Sequence, residues 1–248
     1  MNFKRKKTPG WLPIIVISAF VCLYSSCNNF SNHDSVAGSG IVVEEIREVS
    51  AFHSVETRGS CNVYFVKGAV QELRLVGEDN ILTLINTWVR HDGTLIIEPT
   101  KSYSSNSELK AYITMQDIQG FRILGAGNIR GENIFPCEKL KLDIIGAGNI
   151  DIDVRANSIS STITGTGNIR LAGRADFQSV SIAGAGQLKA SKLETSISDV
   201  QVSGVGNCYV FVHDVLNVRL TGAGDVYYSG SPSEINVQIT GSGHIIKQ

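Results

Sequence analysis

Three carboxylates, Glu132, Asp151 and Asp153, form the one compact acidic group that the spacing of this chain can assemble. Acids gathered on neighbouring strands hold calcium, or divide into the general acid and base of a glycan-cleaving enzyme. Arg130 and Arg170 flank them, which favours a plainer reading: a surface charge ladder whose pairs contribute at most about 1 kcal/mol each. Tyr209, Phe211 and Tyr227 make a second group. Exposed rings on a flat surface stack on sugars or bury against another protein, and simple pairing between strands competes with both. Of the two groups, the aromatic one is the preferred binding patch. No catalytic residue, metal site or cofactor is assigned. The chain carries no P-loop, no H-E-x-x-H and no G-x-S-x-G, and its five histidines are scattered.

These side chains meet only if the chain repeats, and it does. A unit of Gly-x-Gly, a polar residue and an aliphatic one begins at Gly125, Gly146, Gly165, Gly184, Gly204, Gly222 and Gly241, at intervals of 21, 19, 19, 20, 18 and 19 residues. Two positions before each first glycine stand Ile123, Ile144, Ile163, Ile182, Val202, Leu220 and Ile239. The position before those is polar or charged, from Arg122 and Asp143 to Arg219 and Gln238. Alternation of period two means strands with one buried face. By the same parity the glycines belong inward, where a missing Cβ permits a bend or the close approach of another backbone. Coils of about 19 residues, stacked about 4.8 Å apart, give an all-β fold: a parallel β-solenoid, or β-helix, of GxG-Asn-Ile rungs. The residue after the second glycine, Asn128, Asn149, Asn168, Gln187, Asn207, Asp225 or His244, forms a column suited to amide hydrogen bonding from rung to rung.

Residues 40–118 carry the same material in degenerate form. Gly59-Ser60-Cys61-Asn62-Val63 echoes the unit with cysteine in place of the second glycine, and Leu73–Val76 and Thr94–Ile97 read as strands. Asn80–Thr87 reads as a short helical turn, Ser102–Ser107 as a polar loop, and the whole part as a cap on the regular repeats of 119–248.

Upstream, Lys4-Arg5-Lys6-Lys7 and the apolar run Trp11–Leu23 make an export signal over residues 1–26 that is too short to span a bilayer comfortably. Tyr24-Ser25-Ser26-Cys27 resembles a bacterial lipoprotein box, with Cys27 the lipidated residue and 27–39 a polar tether; an ordinary cleaved signal or a retained anchor are the alternatives. Removing the leader takes away four bases and no acid, leaving 18 against 23, which argues against nucleic acid. Cys61, Cys137 and Cys208 are an odd set, read as free thiols, with one disulfide between two of them the alternative.

The seven GxG-Asn-Ile units, with Val55-Glu56-Thr57-Arg58-Gly59 and the turn at Asp92-Gly93-Thr94-Leu95, look like the head GIN domain of auto-transporter adhesins over roughly residues 40–248. The resemblance implies a β-helical fold, placement in the cell envelope, often a lipoprotein signal, and no catalytic residues. The reading is thus a lipid-anchored envelope protein, in the outer membrane, that binds a glycan or protein ligand. Two alternatives stand beside it: a β-helical polysaccharide lyase or glycosidase, and a structural protein that assembles as a homo-oligomer.

Overall fold

A computed structural model describes residues 35–248; Cys27 and the leader lie outside the described residues. Strands account for nearly all the secondary structure, joined in a 17-stranded sheet coiled upon itself, with a two-stranded pair beside it. The regular part is built of bent strands that each take most of a rung: Asn149–Ile163, Asn168–Ile182, Leu188–Val202 and Cys208–Leu220. Each pairs in parallel with the next, column on column, as in Ile150 on Ile169 and Ile163 on Ile182. Within Asn149–Ile163 the buried positions are Ile150, Ile152, Val154 and Ala156, then Ile159, Ser161 and Ile163. The change of parity between Ala156 and Ile159 marks the corner at which the rung folds back on its own apolar face.

The core is one continuous column of these residues. Ile123, Ile144, Ile163, Ile182, Val202 and Leu220 are completely buried, and the rings of Phe65, Phe121 and Phe135 cluster inside the first rungs, with centroids 4.4 and 5.8 Å from that of Phe65. Only the last rung departs. Ile235, Val237 and Ile239 of the strand Glu234–Ile239 lie open, with no coil among the described residues stacked over them.

The other corner of each rung is the glycine pair. The amide of Thr166, between Gly165 and Gly167, donates to the carbonyl of Gly146 at 2.9 Å, and the amide of Ala185 to that of Gly165 at 3.0 Å. A Cβ on Gly165 would overlap the carbonyl oxygen of Gly146, and one on Gly167 that of Gly148. The close approach expected from the sequence therefore runs along the stacking axis, between corners, not across the interior.

Before Gly120 the order of rungs departs from the order of the chain. The strand Ser54–Gly59 lies between Gly120–Gly125 on one side and Thr94–Pro99 on the other, all parallel, and Cys61–Lys67 lies likewise between Asn128–Gly131 and Leu109–Met115. The chain thus lays down its second rung first, forms the end rung with residues 94–115, and crosses back. Antiparallel strands finish that end: Ile85–Val89 on Thr94–Pro99, and Glu72–Glu78 on Leu109–Met115, with Val42–Arg47 outermost. The helical turn is confined to Asp79–Leu82, which buries Ile81 and Leu82; the stretch read as helical then passes through a turn at Thr83 and Leu84 into strand, because Ile85–Val89 finds the free edge of Thr94–Pro99.

The tail of the stretch read as a tether is tied down. Val36–Ala37 pairs with Tyr103–Ser104, inside the stretch read as a loop. Buried Glu78 accepts hydrogen bonds from the Gly40 amide at 2.8 Å, the Ser105 hydroxyl at 2.7 Å and the Asn106 amide at 3.0 Å. These donors, the Gly40 amide foremost, hold its carboxyl below the usual carboxylate range.

The glycine corner makes a direct prediction. Gly167→Ala should cost about 3 kcal/mol or abolish folding, because a carbonyl oxygen and Ile144 occupy the space, whereas Thr166→Ala, one residue away and exposed, should stay within about 0.5 kcal/mol. Urea unfolding midpoints of the two variants distinguish the outcomes.

Candidate functional site

The polar column after the glycines is a hydrogen-bonded ladder that begins one rung earlier than the regular repeat, at Asn62. The Asn128 side-chain amide donates to Asn62 Oδ1 at 2.9 Å, that of Asn149 to Asn128 at 2.8 Å, and that of Asn168 to Asn149 at 2.9 Å. The same oxygens take backbone amides from the rung above: Asn168 N–H reaches Asn149 Oδ1 at 3.2 Å, and Gln187 N–H reaches Asn168 Oδ1 at 3.2 Å. The column serves the corner's own backbone, which needs acceptors where the ladder of the strands lapses. At the far end Asp225 takes over from the amides and accepts the His244 backbone amide at 2.8 Å. That bond, chiefly, holds the Asp225 carboxyl below its usual range.

The acidic group is divided by a cation. Arg170, on the rung above Asp151, pairs with Asp151 and reaches Asp153 at 3.2 Å through the same Nη2. A guanidinium shared between two carboxylates neutralises the charge that would draw calcium and occupies the position a substrate proton would need. Glu132 takes part in no ion pair among the described residues, and none of these residues form a cluster of three or more metal-ligating side chains. Of the three free thiols, those of Cys61 and Cys208 are buried and that of Cys137 is half-buried. Burial pushes Cys61 up to about 12 and Cys137 up to about 11, leaving both unreactive as nucleophiles at neutral pH.

Tyr209, Phe211 and Tyr227 share the outward side of two consecutive rungs without lying flat in one plane. Tyr209 and Tyr227 are register partners, and their rings stack with centroids 4.6 Å apart and planes within 7°. Phe211 turns its ring to His213, centroid to centroid 5.0 Å, edge to face. The Tyr227 hydroxyl reaches Asp225 at 3.3 Å, and partial burial followed by that neighbouring charge raises its pKa. Because the stack runs along the solenoid axis, Tyr227 covers one face of Tyr209 and the other face looks back toward the preceding rung. The column continues through Lys189, Arg170, Asp151 and Arg130 to Tyr64, which stacks on Tyr112 at 5.3 Å. One straight outer wall therefore carries a tyrosine pair near each end and charges between them.

A second charged group escaped the sequence reading. Glu56, 1% exposed, is approached by Arg58 at 2.7 Å, Arg90 at 3.5 Å and Arg122 at 3.7 Å, and Arg58 also holds Glu98 at 2.7 Å. Arg90 follows the antiparallel cap strand Ile85–Val89, while Glu98, Glu56 and Arg122 belong to three stacked rungs, so this network fastens the cap to the solenoid. Its signal was available: aligning Gly59 with Gly125 places Glu56 directly beneath Arg122.

The ladder's acidic end gives a pH-dependent prediction. A carboxyl whose folded pKa is lowered contributes its stabilisation in full above the ordinary aspartate range, and loses it as pH falls through the lowered value. Asp225→Asn restores the amide of the column and removes this acid sensitivity, so its stability relative to wild type should rise between about pH 5 and pH 2. Asp225→Ala should cost about 1 kcal/mol near neutrality through the lost acceptor. Urea midpoints taken across that pH range test both.

The family model described as "Putative auto-transporter adhesin, head GIN domain" matches residues 51–232. A solved structure of a "putative adhesin" from Bacteroides fragilis is similar at a TM-score of 0.82 and 24% identity, over 86% of this chain and 100% of the other. A "putative lipid binding protein" from Parabacteroides distasonis matches at 0.69 and 19%, over 86% and 99%, and a "putative adhesin" from Parabacteroides merdae at 0.68 and 16%, over 86% and 99%. At these identities the three likenesses concern the fold. No curated protein matches the chain. The repeat, its glycine corners and the family match over 51–232 lead to one conclusion: this chain belongs to the head GIN domain family of auto-transporter adhesins.

Proposed function

We propose that the chain is a non-catalytic binding protein of the cell envelope, anchored through lipidated Cys27 in the outer membrane, that holds an envelope glycan or protein on the outer wall around Tyr209, Phe211 and Tyr227. One observation carries the binding site: aromatic side chains and uncommitted cations share an outward column that is otherwise hydrogen-bonded or salt-bridged. The adhesive role draws on the description of the family, and the non-catalytic reading on Arg170, which occupies the two aspartates best placed for acid and base work. A basic leader, an apolar run and small residues before Cys27 support the anchor.

The reading is tested by binding of the labelled full chain to isolated bacterial envelopes. Replacing Tyr209, Phe211 and Tyr227 together by alanine should reduce retention at least about 10-fold, as removal of a central aromatic anchor does; equal retention overturns the patch. Detergent phase partition of a Cys27→Ser variant expressed in a Gram-negative host tests the anchor. The variant should move from the detergent phase to the aqueous phase, and unchanged partition overturns lipidation at that residue.

A further inference from the structure

The wall is interrupted at one place. The fourth interval of the repeat, from Gly184 to Gly204, is 20 residues, and the next, from Gly204 to Gly222, is 18. The length mismatch shows as slipped register. Arg170 and Lys189 are partners, but the next pair is Ala172 with Lys192, and on the other side Ala190 pairs with Val210 while Glu194 pairs with Phe211. Ser191 and Lys192 therefore stand outward at a bulge between two tighter rungs, while Leu193 returns to the core. The bulge opens a notch of about 310 Å³ lined by Arg170, Leu171, Lys189, Ser191, Lys192 and Tyr209.

The chemistry of that notch is specific. Tyr209 forms one side, and because Tyr227 covers its other face, the ring face turned to Lys189 is the one left to a ligand. Lys189 and Lys192 are exposed and take part in no ion pair among the described residues, while Arg170 is committed to Asp151 and Asp153. Glu194, the nearest carboxylate along the bulged strand, is 3.6 Å from His213. Two exposed lysines without an ion pair among the described residues thus line the same notch as Tyr209. A small inorganic anion would satisfy the lysines and leave the ring unused, and a neutral sugar would do the reverse. A pyranose bearing a carboxylate uses both, its C–H face on the ring and its charge on the lysines. The volume lies at the small end of ligand sites and accommodates a single sugar ring, and the wall on either side lets the chain of sugars continue along the axis.

We propose that the notch is a recognition subsite for one uronic acid residue of an acidic polysaccharide, with Tyr209 as the stacking platform and Lys189 and Lys192 as the carboxylate-binding pair. This rests on the binding reading of the same wall and adds the substrate class and the residues that select it.

The test is isothermal titration of the full chain with hexamers of galacturonate, glucuronate and mannuronate, with maltohexaose as the neutral control and sodium sulfate as the bare anion. At least one hexauronate should bind, at least about 10-fold more tightly than maltohexaose and sulfate, with affinity falling as salt rises. A Lys189→Gln/Lys192→Gln double variant should lose about 10-fold or more for that hexamer, and Tyr209→Leu should lose binding while leaving the urea midpoint near that of wild type. Undiminished binding by the lysine variant, a preference for maltohexaose, or equal affinity for sulfate overturns the subsite. Failure of every hexauronate also overturns it, and retention on envelopes by wild type but not by the triple alanine variant then shows that the broader reading stands without it. Loss of that retention difference as well removes both.

Discussion

Stacked coils are held at the spacing of a parallel sheet, and at the glycine corners this leaves no room for a Cβ between one backbone and the next. Most other features of the molecule follow from that closeness. The corner amide of each rung reaches the glycine carbonyl of the rung before it, which fixes the register, and fixed register puts identical columns above one another. Columns then acquire properties that single residues lack: an apolar column becomes a continuous core, and an amide column becomes a ladder that satisfies the corner's own backbone. A residue on the outer wall likewise takes its meaning from the two that flank it, as Asp151 does between Arg130 and Arg170.

Much of this was legible because both periodicities, two along a strand and about nineteen along the chain, are written in residue types. The inward columns at Ile123 through Leu220 and the echo at Gly59-Ser60-Cys61-Asn62 both fall where spacing places them. What spacing does not encode is the order in which rungs are stacked. Nothing in residues 54–67 or 94–115 announces that the later segment lies outside the earlier one, because either order buries the same apolar faces. The extent of the helical turn was misjudged for a related reason: Ile85–Val89 is strand only because an unpaired edge at Thr94–Pro99 awaits it.

The candidate site shows the same division. Alignment on the glycines brings Tyr209 and Tyr227 together, but ring orientation depends on neighbours, and the stacked pair offers far less open ring surface than three outward aromatics promise. The bulge at Ser191 and Lys192 is present in the sequence as two unequal intervals, 20 and then 18. A length difference says only that something must give way; which residues loop out depends on how adjoining coils hold their columns. The buried Glu56 network needed both kinds of knowledge, the register beneath Arg122 and the return of Arg90 from the cap.

The displaced order at the capped end bears on how the molecule is made. Synthesis delivers residues 54–67 early, yet one flank of that coil is supplied by residues 94–115 and the other by 120–131. Until the ribosome has passed residue 131, the segment has one bare flank, and its apolar side chains have only part of their eventual shelter. Each later coil, by contrast, adds to a finished template as it emerges. Assembly is therefore slow to begin and quick to extend, and a mutation in the 54–67 coil falls on the step that every later coil must await.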